Sequence, residues 1–114
     1  MIANLTGHEI TLVDRLGNVV QVIEPCPYEE PIRAEVGQRR LGRIEGIRVT
    51  KLYYNTNVSK AKMKELLQKY DGIVVSKISA EALREQGFRK GIYITGRKFF
   101  LHGEFKGVKE LSVL

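Results

Sequence analysis

The sequence predicts an α+β domain, β-rich in its N-terminal half, and three observations predict it. Short runs of β-branched and aromatic residues, punctuated by Gly, Asn, Asp and Pro, fill the first half. Helical periodicity sets in near residue 59, and the chain then alternates helix, strand and helix before returning to strands. A length of 114 residues, 43% hydrophobic and 28% charged, suits one core and a single domain over 1–114, without the apolar depletion of disordered chains.

Residues 1–5 and 10–13 read as strands, and the turn-rich 14–18 leads into a third strand at 19–23, so the chain begins as a meander. Pro25, Pro27 and Pro31 fall within 24–31; each fixes φ and removes a backbone donor, which makes this piece a loop or irregular edge. Residues 32–36 alternate apolar and charged, and 39–44 with 47–54 form a hairpin about Glu45-Gly46.

From Ser59, Met63, Leu66, Leu67 and Tyr70 recur at helical spacing while Lys60, Lys62, Lys64 and Lys69 take other faces. Ser59 or Asn57 is the expected N-cap and Gly72 the expected residue after the helix. Ile73, Val74 and Val75 are apolar on both alternating faces, as in a strand covered on two sides. A second helix is expected from about 78 to 86, stopped by Gly87 and capped by Ser76 or Ser79. Strands at 91–96 and 98–101 join at Gly96-Arg97, and 103–114 adds another. The expected product is a meander with hairpins, a helix-strand-helix unit and C-terminal strands in one mixed-sheet domain.

The formal net charge is +6. Residues 1–57 hold seven Lys or Arg against seven Asp or Glu, and 58–114 hold twelve against six, so the excess lies in the second half and suggests an anionic partner. No apolar run approaches the roughly 20 residues that span a bilayer, and the start of the chain lacks a basic segment followed by a long apolar one. Together with the single cysteine, this leads to the expectation of a protein without membrane contact, in the cytoplasm. Cys26 sits between two prolines near Glu24, Glu29 and Glu30, with no basic neighbour to favour a thiolate, and is expected to be inert.

Several short motifs carry a resemblance. Asn4-Leu5-Thr6-Gly7-His8, the proline loop, Arg33-Ala34-Glu35-Val36, Gly42 with Gly46-Ile47-Arg48-Val49, and the run Val74-Val75-Ser76-Lys77-Ile78-Ser79-Ala80-Glu81-Ala82-Leu83 occur in this order. In these the chain resembles a family of short, poorly characterised tailed-phage and prophage proteins with N-L-T-P-H and I-V-S-x-x-V-A-x-A-L type motifs. Gly7 stands where that pattern has proline, and Ser79 where it has an apolar residue; the second departure makes Ser76 the cap, with the helix starting near Lys77. The resemblance implies a viral or prophage accessory protein, in the host cytoplasm if viral, and no particular activity.

Catalytic and metal-binding signatures do not emerge. His8, His102 and Cys26 match no zinc spacing, and neither a metal nor a cofactor is expected. No nucleophile elbow, Walker loop or dinucleotide fingerprint occurs, and the adjacent Glu29 and Glu30 point apart in an extended segment. Catalysis would require a cleft in which His8 or His102 meets a carboxylate or hydroxyl, so no catalytic residue is assigned.

The sharpest binding candidate is the start of the second helix. Ser76, Lys77 and Ser79 would bring two hydroxyls, an ammonium and free N–H groups to one point, as a phosphate cradle does; ordinary N-capping, worth about 1 kcal/mol, competes with that reading. His8 is a second candidate, although hydrogen bonds of Asn4, Thr6 and His8 to neighbouring backbone account for it as a strand-end device. Arg39, Arg40 and Arg43, near the hairpin tip, could clamp an anion bidentately. Lys60, Lys62, Lys64 and Lys69 of the first helix, with Arg84, Arg89, Lys90, Arg97 and Lys98, would form a basic surface on which Tyr53, Tyr54, Tyr93, Phe99 and Phe100 could stack bases. These residues lead to the expectation of a non-enzymatic accessory protein that binds a nucleotide-like anion. A nucleic-acid-binding module and a structural or protein-interaction homo-oligomer are the alternatives.

Overall fold

The computed structural model describes residues 1–114. Its strands are β1 (Ile2–Asn4), β2 (Ile10–Val13), β3 (Val19–Ile23), β4 (Ala34–Ile44), β5 (Ile47–Thr56), β6 (Gly72–Val74), β7 (Ile92–Thr95), β8 (Lys98–Leu101), β9 (Glu104–Val108) and β10 (Leu111–Ser112). Helices α1 (Lys60–Lys69) and α2 (Lys77–Glu85) flank β6. The α+β class and the β-rich first half are as expected, and the strands distribute over three sheets ordered β1-β6-β7-β10, β3-β2-β9-β8 and β4-β5.

The first sheet explains the doubly apolar run at 73–75. β6 lies between β1 and β7, parallel to both. Ile73 and Val75 join Met63, Leu66 and Tyr70 of the α1 segment and Ala80 and Leu83 of α2 in the main core. Val74 points the other way and packs with Ile10 of β2 and Val108 of β9, under the second sheet. The central strand thus supplies both interfaces of a helix-sheet-sheet arrangement.

Caps set the helix limits. Ser59 Oγ accepts the Lys62 N–H at 3.1 Å, and Ser76 Oγ accepts that of Ser79 at 3.2 Å. Gly87, with φ 95°, follows α2 as expected. Gly72 does not terminate α1: Tyr70 is the C-cap in extended conformation, and Gly72 opens β6. A side chain at Gly72 would stand 2.5 Å from the Tyr93 ring, so close approach of that ring explains the glycine.

The third sheet is a two-stranded arm. Its ten-residue β5 reaches about 33 Å at 3.3 Å per residue, and the molecule measures 55 × 39 × 20 Å. The radius of gyration, 17.1 Å, exceeds the roughly 13 Å of a compact chain of this length. Glu45 (φ 51°) and Gly46 (φ 78°) are both left-handed, the backbone of a tight hairpin turn. At the base, β5 lies against α2, and Gln86 Nε2 donates to Asn55 Oδ1 at 3.0 Å. No helix is long and apolar enough to cross a membrane.

Candidate nucleic-acid interface

The sequence-predicted residues fall in three separate places. At the start of α2, Ser76 Oγ caps the helix and donates to Ser79 Oγ at 2.9 Å, and Ser79 Oγ donates to the Ile32 carbonyl at 3.3 Å. Ser79 is fully buried, and both hydroxyls are taken up in tying α2 to the segment before β4. Lys77 is exposed, and none of the principal clefts is lined by Ser76, Lys77 or Ser79.

His8 contributes its backbone. Buried Asn4 donates from Nδ2 to the His8 carbonyl at 2.6 Å and to the Ile23 carbonyl at 3.0 Å, and its Oδ1 accepts the Thr6 hydroxyl at 2.6 Å. Thr6 Oγ1 in turn accepts the His8 N–H at 3.2 Å. This network fixes the passage from β1 to β2, as the strand-end reading of the motif holds. The exposed His8 imidazole takes no part in it, and His102 occupies the β8–β9 turn with φ 51°.

Arg39, Arg40 and Arg43 all lie on the arm, where Arg48 and Lys51 of β5 join them. Cross-strand partners share a face, so the register sorts these residues. Val36 with Tyr54, Gln38 with Leu52, Arg40 with Thr50 and Arg43 with Arg48 occupy one face. Gly37 with Tyr53, Arg39 with Lys51, Gly42 with Val49 and Ile44 with Ile47 occupy the other. A register shift between Arg40 and Gly42 leaves Leu41 as an extra residue, and Gly42 takes φ 127°.

Two cross-strand pairs therefore oppose like charges, Arg39 with Lys51 and Arg43 with Arg48. Such pairs are destabilising in isolation. The arm holds Glu35 and Glu45, yet neither is paired with an arm cation: the ion pairs of the chain are all elsewhere, and Arg43 reaches only the Gly46 carbonyl, at 3.3 Å. Elsewhere Lys62 is held by Glu29, Arg97 by Glu110 and Lys106 by Glu104. Half-exposed Tyr53 fills the space over Gly37, where an added Cβ would lie 2.1 Å from the ring. With Gln38, Arg39 and Lys51 it lines an open cleft of about 410 Å³. At the tip, Ile44 and Ile47 are 66% and 68% exposed.

Counting charge by halves of the sequence conceals this cluster, because acidic residues before β4 cancel it. Charge counted along the hairpin strands reveals it: Arg39, Arg40, Arg43, Arg48 and Lys51 stand against Glu35 and Glu45. Arg48, Lys51 and the Gly37–Tyr53 pair are the members that the sequence reading of the clamp left out. Comparisons with protein families, with characterised proteins and with solved structures find no match, so the site is read from its own residues.

Proposed function

We propose that the protein is a nucleic-acid-binding module whose β4–β5 arm enters the major groove of duplex DNA. The observation that carries this reading is the pair of like-charge oppositions, Arg39 with Lys51 and Arg43 with Arg48, without a protein carboxylate to relieve them. Phosphates would relieve them, and the release of counterions would drive binding. A major groove about 12 Å wide accepts a two-stranded ribbon. Cations on both faces suit a ribbon with phosphates on either side, whereas a single strand would use one face. The deep, narrow major groove of A-form RNA disfavours such an arm.

In this reading the arginines and Lys51 hold phosphates, and the exposed Ile44 and Ile47 meet thymine methyl groups at the groove floor. An accessory role in a virus or prophage, within the host cytoplasm, belongs to the same proposal; the motif resemblance and the single thiol support it. Fluorescence anisotropy with labelled duplex DNA, single-stranded DNA and duplex RNA tests it. Duplex DNA is expected to bind tightest, with affinity falling steeply as salt rises; no binding to duplex DNA near 50 mM salt, where phosphate contacts are strong, overturns it.

A further inference from the structure

A second site lies where the proline loop meets α1, away from the arm. Tyr28, Glu29, Pro31, Ile32, Val58 and Leu66 border an open cleft of about 440 Å³, within the size range of small-ligand pockets. The Glu29 side chain is only 6% exposed. Its Oε1 accepts from Lys62 Nζ at 3.2 Å, and its Oε2 is buried without any hydrogen-bond partner. A buried carboxylate oxygen left without a donor is costly, so an incoming donor gains what the folded chain does not supply.

The remaining polar groups of the lining are largely committed. Asn57 accepts the Arg33 N–H at 2.9 Å and donates to the Pro31 carbonyl at 3.2 Å, and Ser59 Oγ accepts the Lys62 N–H. Lys62 is also shared with Glu65 at 3.4 Å. On the lining the carboxylates of Glu29 and Glu30 stand against the single ammonium of Lys62, a local negative surplus in a protein of net charge +6. Pro31, Ile32, Val58 and Leu66 supply apolar wall, and the exposed Tyr28 offers a ring face to a cation.

The geometry points to a binding site for an aliphatic amine or guanidinium compound, its charged nitrogen donating to Glu29 Oε2 and its methylenes lying on the apolar wall. The site is independent of the arm and of nucleic-acid binding. Isothermal titration calorimetry with 1,4-diaminobutane, agmatine and N-acetyl-arginine amide tests it, with n-butanol as the neutral control. The first two represent free metabolite amines and the third a peptide side chain, so their ranking identifies the source.

Saturable binding of at least one cation, and none of butanol, is expected. Glu29→Gln should weaken it by about ten- to a hundredfold, the usual value of a hydrogen bond to a charged group. Lys62→Met, which retains Glu29 and frees Oε1, should bind as well as the parent or better where it folds, and circular dichroism of both variants separates a lost contact from a folding defect. DNA affinity should be the same in both variants. Absence of saturable binding for all three cations, or equal binding by the parent and a folded Glu29→Gln protein, overturns the inference.

Discussion

Replacing Arg40, Arg43 and Arg48 together with glutamine removes three of the five cations of the arm from a single face while leaving Tyr53 and the tip untouched. If each cation neutralises one phosphate, the parent should show a slope near −4.5 in log K against log salt and the variant one near −1.8, at about −0.9 per contact. Raising salt from about 50 to 200 mM would then cost the parent roughly 500-fold in affinity and the variant only about twelvefold. Removing the Arg43–Arg48 opposition should leave folding stability unchanged or slightly higher. Anisotropy titrations at four salt concentrations, with urea unfolding in parallel, give both quantities. A folded variant that binds with the parental slope refutes the groove-bound arm, and an arm that unfolds refutes the expectation that relieving like charges is neutral or stabilising.

Three further outcomes follow from the geometry. Ser79→Ala should cost about 1–3 kcal/mol by leaving the buried Ile32 carbonyl without its donor, and Ser76→Ala about 1 kcal/mol as a lost cap. In urea unfolding both should register while DNA affinity is retained; a fall in DNA affinity with intact folding would return function to the start of α2. Gly37→Ala should push the Tyr53 ring off the ribbon, seen as a change in its NMR ring shifts with the core resonances unmoved. The Tyr70 phenol is pushed up to about 12, first by its hydrogen bond with Cys26 at 3.7 Å and then by burial. Because the folded pKa lies above the ordinary value of about 10, its stabilising contribution is complete below pH 10 and is lost as pH rises through 12. Absorbance titration should show a late phenol step that Tyr70→Phe removes; a Tyr70→Phe profile identical to the parent's contradicts this assignment.

What could be read from the sequence was what local chemistry decides. Ser76, Gly87 and the Met63-Leu66-Tyr70 stripe announce helix limits and faces because capping and periodicity act over one or two turns. The apolar run around Val74 announced a strand covered on both sides, and the two cores deliver that. Gly72 misled because its reason is distant: the Tyr93 ring, carried by β7, demands the missing side chain. The division of strands into three sheets was hidden for the same cause, since sheet partners such as β2 and β9 lie far apart in sequence. At the candidate site, Arg39, Arg40 and Arg43 were visible as a cluster near a turn. Their opposition to Arg48 and Lys51 depends on register, which the extra residue at Leu41 shifts.

Both strands of the arm are also unprotected edges. A ribbon ten residues long with Val36, Leu52, Ile44 and Ile47 exposed would ordinarily invite a second copy to add strands to it. Its uncompensated positive charges and the kink at Leu41 are the devices that discourage such pairing. The same side chains thus act as gatekeepers of solubility, and any relative that exchanged them for neutral residues would need a shorter arm or a permanent partner to remain monodisperse.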